Sequence, residues 1–231
     1  IKMEVARNFN PKNDFLKKVR KIADDNNIIL IFDECSSGFR QTFGGIHKLY
    51  NIEPDIAMFG KTLGNGYAIT AVIGKKHIME AAQNSFISST FWTERIGPTA
   101  ALKTLEVMER IKSWEIITQI GKNIGDRWKV ISEKYDLDIV VAGIPAFINF
   151  SFKSDNWLKY KTLISQEMLK KGYLASNTVY TCISHSEEVV DNYFKNLEPV
   201  FSLIAKCELD GNSVDEYLDS PVCHSGFKRL N

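Results

Sequence analysis

The sequence has few cysteines, and they do not form the pattern of a disulfide-stabilised fold. There are four in 231 residues. They are Cys35, Cys182, Cys207 and Cys223, with no Cys-x-x-Cys pair among them. We therefore expect reduced cysteines in a cytoplasmic protein. A zinc site built from Cys207, Cys223 and His224 is an alternative, but this spacing matches no common zinc finger.

Long apolar runs and an excess of one charge are also absent. No run approaches the roughly 18 apolar residues of a membrane span. Lysine and arginine number 29 against 28 aspartates and glutamates, for a net charge of +1, and the lysine pairs are scattered along the chain. We therefore expect neither a membrane nor a nucleic-acid partner. The length suits one large or two small domains.

The first half of the chain alternates helices and strands. Phe15, Val19 and Ile22 recur at helical spacing, and Asn13 or Asp14 is predicted to cap that helix. The apolar run over residues 28–32 predicts a strand buried on both faces. Strands are predicted over 55–59 and 68–73, and helices over 76–83 and 97–110. This order predicts an α/β fold with a largely parallel sheet.

The second half predicts a small α+β domain. The pattern predicts helices over 114–135, 157–171 and 187–206, and strands over 139–142 and 147–152. A strand-like segment begins at Tyr173. We place the domain boundary near residues 111–113. The predicted domains are therefore 1–112 and 113–209, followed by a polar tail over 210–231.

Asp33 and Lys61 carry the chemical signal. Asp33 follows the first buried strand, and Lys61 follows the second, with Gly60, Gly64 and Gly66 around it. A pyridoxal phosphate enzyme needs a lysine amine to form a Schiff base and a carboxylate to keep the pyridine nitrogen protonated. Either residue alone is weak evidence, since acids often begin turns and lysines often face water. The glycines favour the functional interpretation, because they let backbone approach a ligand closely.

A nucleotide-binding loop is the competing interpretation of the same segment. Gly60-Lys61-Thr62 resembles the end of a P-loop. That pattern needs a glycine five positions before Gly60, where this chain has Asp55. The acidic strand also precedes the lysine, whereas it usually follows. Both departures disfavour this alternative.

Two further segments have open roles. The hydroxyl-rich residues 88–93 precede a predicted helix, and they suit either phosphate binding or helix capping. Phe91 and Trp92 suit either a pocket wall or a core. His185, between two serines, is predicted to have a capping or structural role.

Several motifs together resemble one family. They are Ile31-Phe32-Asp33-Glu34-Cys35-Ser36-Ser37-Gly38-Phe39-Arg40, Phe43-Gly44-Gly45, Pro54-Asp55-Ile56, Gly60-Lys61-Thr62-Leu63-Gly64-Asn65-Gly66, Ser89-Thr90-Phe91 and Gly97-Pro98. In this order they resemble the class III pyridoxal-phosphate aminotransferases, nearest to glutamate-1-semialdehyde aminomutase and related enzymes. The resemblance covers most of residues 1–206. It implies the second half of a fold type I large domain, followed by the small α+β domain.

The resemblance also implies roles for four residues. Lys61 resembles the Schiff-base lysine and proton shuttle, and Asp33 the partner of the pyridinium nitrogen. Cys35 stands where the family usually has a valine packed on the cofactor ring. Thr90 resembles the threonine that binds the cofactor phosphate of the neighbouring subunit, which implies a homodimer. Residues 92–96 depart from the family pattern, so the pocket rim is expected to differ.

The implied activity is transfer of an amino group from a small-molecule donor to a carbonyl acceptor. Family members are nearly twice this length, and their earlier half carries the phosphate loop, the stacking aromatic residue and much of the substrate pocket. We therefore expect this chain to correspond to the C-terminal half and to be inactive alone. A non-catalytic relative acting as an assembly module is the alternative. Glutamate 1-semialdehyde, a keto-sugar derivative and an ω-amino acid all remain open as substrates.

Overall fold

The protein is described here by a computed structural model, which covers residues 1, 3, 11–87, 90–91, 93–211 and 213–226. The chain divides into two compact units, Ile1–Thr118 and Gln119–Asn231. Among the described residues, none of the helices has the length and apolarity needed to cross a membrane.

The sheet of the first unit has three strands, in the order β1 (Ile31–Asp33), β2 (Ile56–Phe59) and β3 (Ala71–Gly74). β1 and β2 are parallel, whereas β2 and β3 are antiparallel. The sequence predicted a largely parallel sheet. Among the described strands of this sheet, one of the two pairings is parallel. On the other side of β1, Asp33 N donates to Ile1 O at 2.8 Å and Met3 N donates to Asp33 O at 2.9 Å.

The expected burial of β1 on both faces is wrong for this chain. Phe32 is fully buried, but Ile31 is 40% exposed, and the preceding Ile28 and Ile29 are more exposed still. On the buried face, the Phe32 ring lies 5.9 Å from the His47 ring between centroids. The neighbouring strand β2 contributes Ala57 and Phe59 to the small core of the unit.

Three helices accompany this sheet: α1 (Phe15–Asp25), the short α2 (Lys76–Met79) and α3 (Ile96–Ile111). The predicted cap of α1 is wrong, because Asp14 has φ 57° and its side chain caps no N–H. The helix that the spacing of Phe15 and Ile22 predicted is present, but these two residues are exposed while Leu16 and Ala23 are buried. Leu16 and Ala23 lie two turns apart and so share one face of the helix.

The second unit contains an antiparallel meander and three long helices. Its strands follow the order β4 (Ile139–Ile144), β5 (Phe147–Phe152) and β6 (Thr178–Tyr180). The helices are α4 (Ser113–Lys134), which begins in the first unit, α5 (Trp157–Lys170) and α6 (Glu187–Asp210). The predicted elements are all present, but β6 begins five residues after Tyr173, where the sequence predicted a strand-like segment.

Large apolar side chains from α4, α5, α6 and β5 fill the core of this unit. The fully buried members include Trp128, Phe150, Leu163, Leu197 and Phe201. Gly121 allows α4 to approach the turn between β4 and β5, because a Cβ there would lie 1.7 Å from Pro145 O. His185 Nδ1 accepts a hydrogen bond from Cys182 N at 3.2 Å, as expected of a structural histidine.

The described part of the polar tail is bound to α5. Gln166 donates to Tyr217 O at 2.8 Å and accepts from Asp219 N at 2.7 Å. Cys223 N donates to Thr162 Oγ1 at 2.9 Å, and Val214 is buried in the core. These contacts lie on the same helix, so the tail follows its surface.

Candidate active site

The parallel pairing of β1 and β2 brings the two predicted chemical residues to one edge of the sheet. Asp33, the last residue of β1, pairs with Met58, and Glu34 N donates to Met58 O at 2.8 Å. Lys61 follows three residues after Met58. The carboxyl ends of parallel strands are where ligands gather in open α/β sheets. Asp33 and Lys61 therefore leave the sheet at its ligand-binding edge.

Lys61 opens a short 3-10 helix (Lys61–Leu63) in a left-handed conformation, with φ 46°. Its Nζ donates a hydrogen bond to Ser36 Oγ. Leu63 is buried and anchors the turn. Gly64 allows the backbone at Tyr67 to come close to it, because a Cβ at position 64 would lie 2.2 Å from Tyr67 O. The turn therefore holds the Lys61 backbone, and the serine holds its amine.

Asp33 and Cys35 form the other side of this edge. Asp33 is half-buried, and its Oδ1 accepts a hydrogen bond from Cys35 N at 3.0 Å. Cys35 Sγ lies beside Gly60, where a Cβ would be 3.6 Å from the sulfur. The structure thus brings together Lys61, Asp33 and Cys35, three of the four residues that the sequence singled out.

A buried acid holds the loop that connects β1 to the following 3-10 helix (Ile46–Tyr50). Glu34 is completely buried, and its carboxylate accepts hydrogen bonds from Ile46 N at 3.0 Å and His47 N at 3.1 Å. The same carboxylate lies 2.9 Å from His47 Nδ1 and accepts from Ser37 Oγ. Sequence reasoning missed this network. A second acid directly after Asp33, with a histidine after the glycine turn, was its only signal.

Asp55 ties the opposite end of β2 to its neighbours. It accepts hydrogen bonds from Leu30 N at 2.7 Å, Arg20 Nη1 at 2.9 Å and Lys75 Nζ at 2.7 Å. Burial alone raises the pKa of Asp55, but these donors outweigh it and lower the pKa to about 2. The residue was part of a recognised motif, yet its structural role was not predicted.

Thr90 lies in an exposed turn before α3. The first N–H groups of α3 are capped by Glu94, which accepts from Ile96 N at 2.9 Å and Gly97 N at 3.1 Å. Glu94 therefore caps the helix start, and the role of residues 88–93 stays open. The predicted Ser88, Ser89 and Trp92 lie outside the described residues, and Phe91 is exposed rather than in a core.

The turn at Lys61 also differs from a P-loop. In a P-loop the lysine and the following hydroxyl residue open a helix that carries the phosphate site. Here the helical segment after Gly60 is a single 3-10 turn of three residues. The nucleotide-binding alternative is therefore wrong on local geometry as well as on sequence.

The comparisons with known proteins place the chain in a family. The model of the class-III aminotransferases matches residues 8–188. This chain belongs to the class-III aminotransferase family, as its motifs predicted, and membership supports pyridoxal phosphate (PLP) as the cofactor.

Curated relatives carry two kinds of name. The 3-aminobutyryl-CoA aminotransferase of Cloacimonas acidaminovorans is 34% identical over 184 residues, covering 77% of this chain and 44% of the relative. The glutamate-1-semialdehyde 2,1-aminomutase of Methanocaldococcus jannaschii is 28% identical over 208 residues, covering 83% of this chain and 49% of the relative. The chain spans about half the length of the curated relatives it matches.

Solved structures share the fold. The FumI protein of Sphingopyxis sp. MTA144, in its PLP internal aldimine form, matches with a TM-score of 0.79 and 22% identity, covering 85% of this chain and 48% of that one. A transaminase with PLP bound matches with a TM-score of 0.73 and 21% identity, covering 84% and 48%. These likenesses confirm the predicted fold class.

Proposed function

We propose that this chain carries the lysine and carboxylate part of a PLP-dependent aminotransferase or aminomutase site. The observation that carries the proposal is the placement of Asp33 and Lys61 at the carboxyl ends of two paired parallel strands, in a member of the class-III aminotransferase family. The Ser36 contact adds support, because it holds the Lys61 amine at this edge.

The residues at this edge fit the cofactor. Lys61 offers a primary amine for an aldehyde, and Asp33 a carboxylate with an oxygen held by Cys35 N. Thr62 Oγ1, directly after the lysine, is buried and has no hydrogen-bond partner among the described residues. Gly60 keeps the backbone free of a side chain beside Cys35. An amine, an acid and, in the residue after the lysine, an unpaired hydroxyl suit a polar heterocyclic ligand.

When bound, PLP supplies an electron-accepting ring that stabilises negative charge on the substrate carbon. Lys61 Nζ would hold the cofactor covalently and, when free, would move a proton at the substrate carbon as general acid and base. Asp33 would keep a proton on the ring nitrogen by hydrogen bonding to the charged form. Cys35 would offer a small side chain to the ring.

The assembly we propose is a cytoplasmic homodimer in which Thr90 contributes to the phosphate site of the second copy. The apolar surface around that turn supports an interface, since Phe91 and Ile96 are both largely exposed. Small-molecule amino donors and carbonyl acceptors are the proposed substrates. The relatives span aminotransferase and aminomutase names, so both reaction types belong to the proposal.

Reductive trapping tests the central assignment. The chain is mixed with PLP, treated with borohydride, digested and analysed by mass spectrometry. We expect the trapped cofactor on Lys61 in the wild type and in Lys76→Ala, whose side chain is highly exposed. Lys61→Ala should lose it. Wild-type trapping spread over surface lysines, with no preference for Lys61, would instead favour a non-catalytic relative.

A further inference from the structure

The hydrogen bond between Lys61 and Ser36 is unusual among the lysine contacts of this chain. Most described lysines with a side-chain partner pair with a carboxylate, as Lys75 does with Asp55 and Lys134 does with Glu198. Within the described part of the chain, Lys61 forms no ion pair, and its Nζ donates to a neutral hydroxyl. A hydroxyl holds an amine in place but stabilises its charged form less than a carboxylate does.

Ser36 is the fixed member of the pair. It is 8% exposed, whereas Lys61 is an exposed residue with a long side chain. The serine backbone is held on both sides, because Ser36 O accepts from Arg40 Nε at 2.7 Å and Gly38 N donates to Glu34 O at 2.8 Å. The serine therefore determines where the lysine amine lies.

The Glu34 network supports this rigidity. Ser37, the residue after Ser36, donates its hydroxyl to the fully buried Glu34 carboxylate, which also holds Ile46 and His47. A loop bound at its start and its end by one buried acid has little freedom to move the hydroxyl between them. The position of Ser36 is thus set by buried contacts that do not involve Lys61.

We propose that Ser36 is a positioning residue for Lys61, holding its amine at the sheet edge beside Asp33 through a neutral acceptor. This inference rests on the proposed role of Lys61 as the cofactor lysine. The neutral acceptor matters because the amine must be able to lose its proton before it can attack an aldehyde. Ser36 gives the amine a location without the charge pairing that a carboxylate would add.

The experiment compares three substitutions at one position. Lys61 labelling by a limiting amount of acetic anhydride is measured by mass spectrometry at one mildly alkaline pH, with Lys76 as the internal reference. Ser36→Thr keeps the hydroxyl, and we expect labelling within about twofold of the wild type. Ser36→Ala frees the amine and should speed labelling about three- to tenfold. Ser36→Asp adds a charged acceptor and should slow it about two- to fivefold.

These opposite directions distinguish positioning from a general loss of structure, which would speed labelling in all three variants. Equal Lys61 rates in the wild type and all three variants would overturn the proposal, as would faster labelling in Ser36→Thr and Ser36→Asp. The same proteins are then trapped with PLP and borohydride, where Ser36→Ala should lose several-fold in selectivity for Lys61 and Ser36→Thr should retain it. If labelling follows the expected order but PLP never reaches Lys61 in the wild type, the proposed function fails while the Ser36 contact stands.

Discussion

Lys75 Nζ lies 2.7 Å from Asp55 Oδ1, and this contact joins the end of β3 to the start of β2. The same carboxylate holds Arg20 of α1 and the backbone of Leu30. One buried acid thus connects a helix, the loop before β1 and an edge strand. Lys61 follows β2, so its position depends on the elements that Asp55 holds together.

Asp55→Asn is expected to destabilise the chain by about 2–3 kcal/mol, because it leaves Arg20 and Lys75 without their shared anion. Urea denaturation followed by circular dichroism measures the change. Asp25→Asn is the matched control, since Asp25 pairs with Lys21 on an exposed helix face. Such a surface pair contributes about 0.5 kcal/mol or less. Equal losses in both variants would contradict the central role of Asp55.

Lowering the pH should remove the contribution of Asp55 to the free energy of unfolding over a defined pH range. Its pKa is lowered from 3.8 to about 2 in the folded chain, so folding favours the ionised carboxylate. The stabilisation, about 2 kcal/mol, is complete above pH 4 and is lost as the pH falls through about 2. We expect the free energy of unfolding to fall between pH 4 and pH 2, with a shallower fall in Asp55→Asn. An unchanged slope in the variant would refute this assignment.

Glu34→Gln should cost about 2–4 kcal/mol, because four donor groups surround the buried carboxylate and the amide would turn its own N–H groups towards some of them. Differential scanning calorimetry reports the loss. Glu53→Gln is the control, since this side chain is exposed. The loop that carries Ser36 should also loosen, visible as faster amide exchange between Ser37 and His47. If amide exchange in this loop of Glu34→Gln were as slow as in the wild type, the Glu34 network would not be what holds the loop.

Two glycines of α4 offer a matched test of close packing. An added Cβ at Gly121 would lie 1.7 Å from the backbone oxygen of Pro145, whereas at Gly125 its nearest neighbour is the flexible end of Ile148 at 2.5 Å. Both alanine variants gain the same helix propensity. We expect Gly121→Ala to be less stable than Gly125→Ala by about 2 kcal/mol or more in urea denaturation. Equal stabilities of the two variants would show that the turn at Pro145 moves away from the added methyl group without a cost in stability.

The backbone of Lys61 is strained, with φ 46°. A left-handed conformation costs a non-glycine residue about 1 kcal/mol or more, and glycine adopts it without penalty. Lys61→Gly should therefore be more stable than Lys61→Ala by about 1 kcal/mol, measured by thermal unfolding. If both have the same stability, the turn relaxes once the lysine is gone. Strain at this residue is consistent with a position selected for chemistry rather than for stability.

The periodicity of apolar residues predicted the positions of most helices and strands well, but it predicted helix capping and strand burial poorly. The helices α3 to α6 and the hairpin of β4 and β5 lie within a few residues of their predicted bounds. The cap of α1 and the burial of β1 on both faces were wrong. An apolar residue reports a preference for burial, but whether something covers it depends on the rest of the fold. The roles of Lys61, Asp33, Cys35 and Thr90, and the domain bounds, stay predictions.

The sequence by itself determined the family, because an acid after one strand and a lysine in a glycine turn after the next form a local pattern. Tertiary structure alone decided which groups hold those residues. Ser36 meets Lys61 across 25 positions, Glu34 meets His47 across 13, and Asp55 meets Lys75 across 20. Such partners depend on strand register and on how each loop folds back, and neither can be predicted from the spacing of nearby residues.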